Sequence, residues 1–290
     1  MEITKNCAND PVEIQLLRAS DLPAALKLVE REQWNQTERD WKRMLGLSPE
    51  GCFAARCAGN VAGTVTTISY GNRLAWIGMM LVAEEQRRRG IGKQLMEAAI
   101  EYLQRLPIAT VKLDATPAGL PLYESLGFVS EGKLERWEGT GLAITAKTGA
   151  ACGERLRPAL SKLDDRAFYA PRTDVLNSLL QDCVAGPVIE LDHSGRNLRG
   201  YAFDRRGSRA SYIGPVVAED QSVAVKLVEE LLQRLAGRVF VDVRIGDADL
   251  VSWLVEHGFT KQRDLTRMTM GRPTNKISEM VFAITGPELG

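Results

Sequence analysis

The sequence contains the same short patterns twice, and this repeat limits the possible folds more than any other feature. The stretch WIGMMLVAE around Ile77 returns as YIGPVVAE around Ile213, and 213 − 77 gives an offset of 136. The ending LGF at Phe128 returns as HGF at Phe259, and 259 − 128 gives an offset of 131. Repetition over this length indicates two copies of one folding unit. The length of 290 residues also exceeds one average domain.

Each copy alternates strand-like and helix-like stretches, which predicts an α/β fold with a mixed sheet flanked by helices. In the first copy the helical periodicity and the apolar runs separate clearly. Ser20 and Asp21 are expected to cap the first helix. Strands are predicted at 14–18, 51–57, 61–70, 74–82 and 110–114, and helices at 22–29, 37–45, 93–106 and 121–126. Small residues fill 139–154. We therefore predict a first domain at 1–140, a linker at 141–153 and a second domain at 154–290.

Charge and hydropathy exclude several classes of protein. The formal net charge is zero, so neither a nucleic acid nor an anionic membrane is expected as a partner. No run of about 18 apolar residues exists, so no transmembrane helix is predicted. The first residues, MEITKNCAND, lack the basic and apolar regions of a secretory signal.

The cysteines and histidines predict neither disulfides nor a metal site. The five cysteines are odd in number and scattered, which fits a reducing cytoplasm. Only two histidines occur, and neither has the spacing of a paired ligand. The cysteines are Cys7, Cys52, Cys57, Cys152 and Cys183, and the histidines are His193 and His257.

A basic turn at 86–93, QRRRGIGK, opens a predicted helix. Unpaired N–H groups and the helix dipole make such a position attractive to anions. Gly90 and Gly92 allow a ligand to approach the backbone closely. Arg87, Arg88, Arg89 and Lys93 add positive charge around the same point. The turn therefore predicts a site for a pyrophosphate-like group.

Two common phosphate motifs do not fit this turn. A dinucleotide-binding fingerprint needs a third glycine where Leu95 stands, and a P-loop needs four residues between its glycines. The spacing alone also leaves open an ordinary turn with solvated charges.

The residues of the turn resemble the signature of the GNAT acetyltransferase superfamily. RRRGIG at 87–92 matches its R/Q-x-x-G-x-G/A pattern, the apolar stretch LAWIGMMLV precedes it, and LPLYESLGF at 120–128 is similar to the second landmark of the family. The corresponding stretch of the second copy, DQSVA at 220–224, has neither glycine nor arginine. The chain therefore resembles a tandem GNAT protein with a motif-bearing first domain and a degenerate second domain.

This resemblance implies acetyl-coenzyme A as the cosubstrate. Backbone N–H groups from Arg89 to Lys93, including that of Ile91, would hold the pyrophosphate. The exposed backbone of Leu81 and Val82 would pair with the pantetheine arm as an added strand does. Arg87, Arg88 or Lys93 would meet the 3′-phosphate or the solvent, and which of them does so stays open.

The resemblance also implies N-acetyl transfer directly from the thioester to a primary amine of a small molecule or of a protein lysine. The backbone N–H near Leu81 would stabilise the oxyanion. Tyr123, three residues before Leu126, is expected to be the acid for the departing thiolate, although it could simply pack the short helix. Asp114 is the first candidate for the base, and Glu32 or a chain of waters are alternatives.

Two further questions stay open at this stage. A non-catalytic acyl-coenzyme A sensor would keep the basic turn and need no acid. The second domain is expected to complete the acceptor cleft, because ligand sites favour domain interfaces. Monomer and homodimer are equally compatible with the sequence.

Arg205 and Arg206 are expected to be solvated on a hairpin turn.

Overall fold

The computed structural model describes residues 11–144, 156–246, 248–272 and 278–290. These ranges contain twelve strands and eight α-helices. The strands are β1 (Val12–Leu16), β2 (Cys52–Cys57), β3 (Asn60–Tyr70), β4 (Leu74–Val82), β5 (Thr110–Ala115), β6 (Val129–Leu142), β7 (Val188–Leu191), β8 (Leu198–Arg206), β9 (Ser211–Ala218), β10 (Ala236–Arg244), β11 (Thr260–Gly271) and β12 (Val281–Ala283). The helices are α1 (Leu22–Arg31), α2 (Glu38–Leu47), α3 (Ile91–Gln104), α4 (Leu120–Ser125), α5 (Arg157–Phe168), α6 (Thr173–Asp182), α7 (Gln221–Arg234) and α8 (Ala248–Glu256). Most of the predicted linker at 141–153, including Cys152, lies outside the described residues, and so does Cys7 near the start of the sequence.

The repeat appears as a repeated order of elements. After β1, the first half runs α1, α2, β2, β3, β4, α3, β5, α4 and β6. The second half runs α5, α6, β7, β8, β9, α7, β10, α8 and β11, and β12 follows. The predicted α/β class, with a mixed sheet flanked by helices in two tandem units, is therefore confirmed.

The two halves exchange strands within one continuous sheet. Its order is β1-β2-β3-β4-β5-β11-β6-β10-β12-β9-β8-β7. Strand β11 of the second half lies between β5 and β6 of the first, and β6 in turn lies between β11 and β10. Each half therefore contributes a strand that lies between strands of the other half. The domain limits 1–140 and 154–290 stay a prediction.

The hydrophobic core crosses the join for the same reason. Its largest cluster combines Trp41 and Trp76 of the first half with Tyr201 and Leu265 of the second, all almost completely buried. Helix α3 covers the other face of the first half with a stripe that includes Leu95 and Ala99. Burying apolar area on this scale is the main force that holds the halves together.

Parallel pairing between the central strands of each half is short. Strands β4 and β5 pair only from Leu74 to Trp76, and β9 and β10 pair only from Ser211 to Ile213. Beyond these residues the strands separate. In the second half, β12 fills the gap and pairs with both β9 and β10. Among the described residues no strand fills the gap in the first half, so a slot remains there.

Two expectations about charged residues near helix and strand ends were wrong. Asp21 precedes α1 but does not cap it through its side chain; its carboxylate accepts from Arg18 N at 2.8 Å and pairs with Arg56. Arg205 is buried on β8 instead of solvated, because the segment after β12 covers it; Arg206 is exposed. In the part of the chain that the structure describes, no helix combines the length and hydrophobicity needed to cross a bilayer.

Candidate active site

A cavity of about 810 Å³ occupies the slot between β4 and β5. The β4 backbone, the basic turn, the start of α3 and helix α4 form most of its wall. The rest of the wall comes from β5 and the loop that follows it, from Arg136 on β6, from the α1–α2 loop and from the second half of the chain. The two halves therefore enclose one space.

The basic turn ends in a helix start that is open to a ligand. Gly90 is the residue before α3, its φ is 78°, and no side chain caps the helix there. A Cβ on Gly92 would lie 2.8 Å from Met80 Cε and 3.4 Å from Leu122 Cδ2, inside the cavity wall. Free N–H groups, the helix dipole and a side-chain-free surface together suit a phosphate group.

Three of the four cations of the turn line the cavity, and one does not. Arg87 pairs with Glu32 and donates to the Val82 carbonyl at 3.2 Å, while Arg88 is exposed. The Lys93 ammonium lies 3.7 Å from a Glu97 carboxylate on the surface of α3. The guanidinium of the fourth, Arg89, instead donates to Gln86 and lies 3.5 Å from Cys57 Sγ.

A β-bulge changes the direction of the β4 backbone near the basic turn. Thr64 pairs with Leu81 and Thr66 with Gly78, so β4 has one more residue than β3 between these pairs. Met79 has a φ of 48°, and Thr64 Oγ1 donates to its carbonyl at 2.9 Å. Leu81 and Val82 then line the cavity.

Tyr123 lies on α4 and lines the same cavity. Its ring packs edge-on to Phe128, with the ring centroids 6.3 Å apart, within the range that favours aromatic pairs. Burial raises the pKa of Tyr123 to about 12. The phenol therefore keeps its proton at neutral pH and is able to donate it.

Asp114 lines the cavity but is held in a buried ion pair. Its oxygens accept from Arg267 Nε and Nη2, both at 2.8 Å, and none of its side chain is exposed. Burial raises the pKa of Asp114, and the Arg267 guanidinium opposes that rise. Arg267 also lies over the Trp76 ring at 4.5 Å. Both carboxylate oxygens of Asp114, the predicted base, therefore already accept hydrogen bonds from Arg267 on the neighbouring strand β11.

The wall opposite the turn contains residues that sequence reasoning missed. Glu288 accepts from Gln36 Nε2 and from Arg205 Nη2, each at 2.8 Å, and only 1% of the residue is exposed. The missed lining residues are Gln36, Arg136, Arg263, Leu265, Pro287 and Glu288. They come from four separate parts of the chain, and no local motif joins them. The charged residue in the closing stretch FAITGPELG was the one available signal.

The corresponding place in the second half is built differently. Strand β12 occupies the slot, and the Asp220 carboxylate caps α7 by accepting from Val223 N at 2.9 Å. Glu219, Glu131 and Glu279 line the surface near this helix start, together with Lys133 and Arg244. A carboxylate at the helix N-terminus and a filled slot both disfavour a pyrophosphate there.

A mixed sheet with a central gap, a basic turn and an uncapped helix start defines the acyltransferase fold that the sequence resembled. Residues 16–128 match the model of the acetyltransferase (GNAT) family, and residues 160–283 match that of an acetyltransferase (GNAT) domain. The chain belongs to the GNAT acetyltransferases as a tandem protein with two GNAT domains. Acetyl-coenzyme A is the acyl donor of this family.

Two curated relatives are similar over most of the chain. An uncharacterized N-acetyltransferase of Bacillus subtilis, YitH, is 27% identical over 70% of this chain and 72% of its own. The holothin acyltransferase of a Pseudoalteromonas species is 24% identical over 89% of this chain and 88% of its own. The general activity of acyl transfer is therefore shared by the family and these relatives.

Solved structures share the arrangement of both halves. A candidate acetyltransferase from Pyrococcus horikoshii superimposes with a TM-score of 0.79 at 22% identity, over 96% of each chain. A tandem GNAT protein from the clavulanic acid biosynthesis pathway has a TM-score of 0.62 at 15% identity, over 91% of this chain and 100% of its own. At these identities the similarity concerns the fold.

Proposed function

We propose that the protein is an acetyl-coenzyme A-dependent N-acetyltransferase that acetylates a primary amine by direct transfer. One observation supports the proposal most: a single cavity is lined by the basic turn, the β4 bulge, Tyr123 and Glu288. The turn suits the donor, and the far wall leaves room for an acceptor. The acceptor is a small-molecule amine or a protein lysine.

The residues present fit the cosubstrate. Backbone N–H groups at the start of α3, around Ile91 and Gly92, would hold the pyrophosphate, with Arg87, Arg88 and Lys93 nearby. The open edge of β4 at Leu81 and Val82 would pair with the pantetheine arm. The bound thioester supplies the acyl group.

The chain's own residues would handle two protons. Tyr123 would donate its phenolic proton to the departing thiolate, because its raised pKa keeps it protonated. A carboxylate would accept the proton that the amine loses, since an amine with a pKa near 10.4 must be neutral to attack. Asp114 remains a candidate for this base, although Arg267 engages both of its oxygens. Glu288 is a further candidate, on the opposite wall.

The second half would serve as the wall of the acceptor site. Pro287, Glu288, Arg263 and Leu265 line the cavity from that half, and Trp76 Nε1 donates to the Pro287 carbonyl at 2.9 Å. Ligand sites commonly form where two units meet. The filled slot beside β9 supports a scaffold role instead of a second catalytic site.

The test is an amine panel with acetyl-coenzyme A in which release of the free thiol is followed. Wild-type protein should acetylate at least one amine, and Tyr123→Phe should lose turnover while it still binds acetyl-coenzyme A. At 100 times Kd, binding should stabilise both proteins by about 2.7 kcal/mol. Binding without turnover of any amine would favour the sensor function, and no stabilisation would reject both.

A further inference from the structure

Arg263 is a cavity-lining cation without a counter-charge. It lies on β11 and lines the wall that the second half contributes. Its Nε is buried and has no hydrogen-bond partner. Within residues 11–144, 156–246, 248–272 and 278–290, none of the ion pairs includes its guanidinium.

The neighbouring arginines differ from Arg263 because each already has a carboxylate. In the register of β11 against β6, Arg263 lies opposite Arg136. Arg136 donates through Nε and Nη2 to the two oxygens of Asp242, each at 2.6 Å. Four residues further along β11, Arg267 makes the same two-pronged pair with Asp114. The pairs Arg136–Asp242 and Arg267–Asp114 are therefore each neutral. The positive charge of Arg263 is not balanced by either pair.

Local electrostatics agree with this charge count. Burial, together with repulsion from Arg136, lowers the pKa of Arg263 to about 10. Arg209, on the loop before β9, adds a weaker repulsion. A half-buried charge without a carboxylate partner is unfavourable for folding alone. A ligand with a negative group would remove that cost by binding here.

The carboxylate of Glu288 does not neutralise Arg263. One of its oxygens accepts from Arg205 and the other from Gln36. Arg205 also lies 3.4 Å from Asp40. Glu288, Arg205, Gln36 and Asp40 therefore bond to one another and leave no carboxylate oxygen of Glu288 for Arg263. The basic turn is a separate feature: the charges that act most on Arg263 are Arg136 and Asp242, not those of the turn.

We propose that Arg263 binds a carboxylate of the acceptor, so that the substrate is an amino acid or another amine that carries a carboxylate group. The inference rests on the proposed function, because it assigns the far wall of the cavity to the acceptor. A guanidinium presents two parallel N–H groups that match the two oxygens of a carboxylate. The amine of the same molecule would then lie in the cavity that the β4 bulge also lines.

The experiment compares free amino acids with their carboxamides, which keep the amine and side chain and lose the negative charge. Wild-type kcat/KM should be at least about tenfold higher for one or more acids than for the matched amides. Arg263→Gln should reduce this ratio towards one by lowering the value for the acid. Arg263→Lys should recover part of it, because the charge returns without the two-pronged geometry. Lys261→Gln removes an exposed cation two residues away and should leave the ratio unchanged.

A binding measurement separates this proposal from the proposed function. Thermal shifts with the same acids and amides, in the presence of coenzyme A, should show the same preference. A preference in binding without any turnover would reject the transferase and keep the carboxylate site. Turnover without a preference for any acid, or an equal loss for acid and amide in Arg263→Gln, would overturn the carboxylate site alone. A panel in which no acid binds better than its amide would overturn it as well.

Discussion

Gln36 Nε2 donates to Glu288 Oε2 at 2.8 Å, and this bond joins two residues 252 positions apart in the chain. It ties the loop between α1 and α2 to the segment that follows β12. The main chain of that segment also touches β4, since a Cβ on Gly78 would lie 2.7 Å from Glu288 Cα. This part of the cavity wall therefore combines residues that are far apart in the described sequence.

Replacing Glu288 by Gln should reduce kcat strongly if Glu288 takes the proton from the amine. Loss of a general base costs about 10²- to 10⁴-fold. Glutamine keeps the size of the side chain and can still accept from Arg205, which also keeps Asp40 as a counter-charge, so the fold and acetyl-coenzyme A binding should persist. Steady-state kinetics and a thermal shift with acetyl-coenzyme A check both parts.

Asp114→Asn is the matched comparison for Glu288→Gln. It removes the other buried carboxylate of the cavity and weakens the pair with Arg267. If Asp114→Asn loses kcat at unchanged stability while Glu288→Gln retains it, then Asp114 is the base. Denaturant unfolding of both variants separates loss of chemistry from loss of fold.

Features whose residues are close in sequence could be predicted. The turn at 86–93 and the strand β4 follow from glycine spacing and apolar patterns within about twenty residues. The helix predicted at 93–106 begins two residues earlier, at Ile91. The repeat also predicted the element order of the second half. Ten of the eleven predicted site residues line one cavity; Arg89 is the exception.

Features that depend on long-range contacts could not be predicted. Arg205 follows the strand-like stretch YAF and precedes a turn, which is typical of a solvated charge, yet Glu288 and Asp40 enclose it. The exchange of β6 and β11 is invisible in the sequence, because either strand fits the edge of either half by its own pattern. Arg263 reaches the cavity only through this exchange. Chain topology, not residue type, decides such positions.

The pH dependence of catalysis should carry the signature of Tyr123. An acid is active in its protonated form, so its contribution is lost as the pH rises through its pKa. That pKa is raised to about 12 by burial, whereas an ordinary tyrosine loses its proton near 10. The rate should therefore keep rising as the amine deprotonates, up to about pH 11, without a decline near pH 10. A profile of kcat/KM, with stability checked at each pH, tests this; a decline near pH 10 would contradict it.

Gly92 should be required for the donor and not for the fold. A valine there would place atoms against Met80 and Leu122 within the cavity. We expect acetyl-coenzyme A binding to weaken by at least about tenfold, which corresponds to about 1.4 kcal/mol. Gly46→Val is the control, since Gly46 lies on α2 and a Cβ there would have no atom within 4 Å. Equal binding by the two variants in calorimetry would exclude Gly92 from the donor site.

One acetyl-coenzyme A should bind per chain. In the second half, Val281 and Ala283 of β12 occupy the gap between β9 and β10, and Asp220 caps the helix start. Isothermal titration should therefore give a stoichiometry of one, and Gly92→Val should weaken that single event. Two binding events per chain would show that the second slot opens.

Truncating Asp164 should destabilise the whole protein. Asp164 accepts from Arg172 Nε at 2.9 Å and from Nη2 at 2.8 Å, and neither side chain is exposed. Arg172 also donates to the main-chain oxygen of Gly290 at 3.1 Å, so the pair anchors the segment that carries Glu288. Asp164→Ala would leave a buried guanidinium unpaired, at a cost of about 3–5 kcal/mol in the free energy of unfolding. Glu97→Ala, which breaks the exposed pair with Lys93, should cost less than about 1 kcal/mol. Urea unfolding measures both, and similar midpoints for the two variants would show that the buried pair does not hold the halves together.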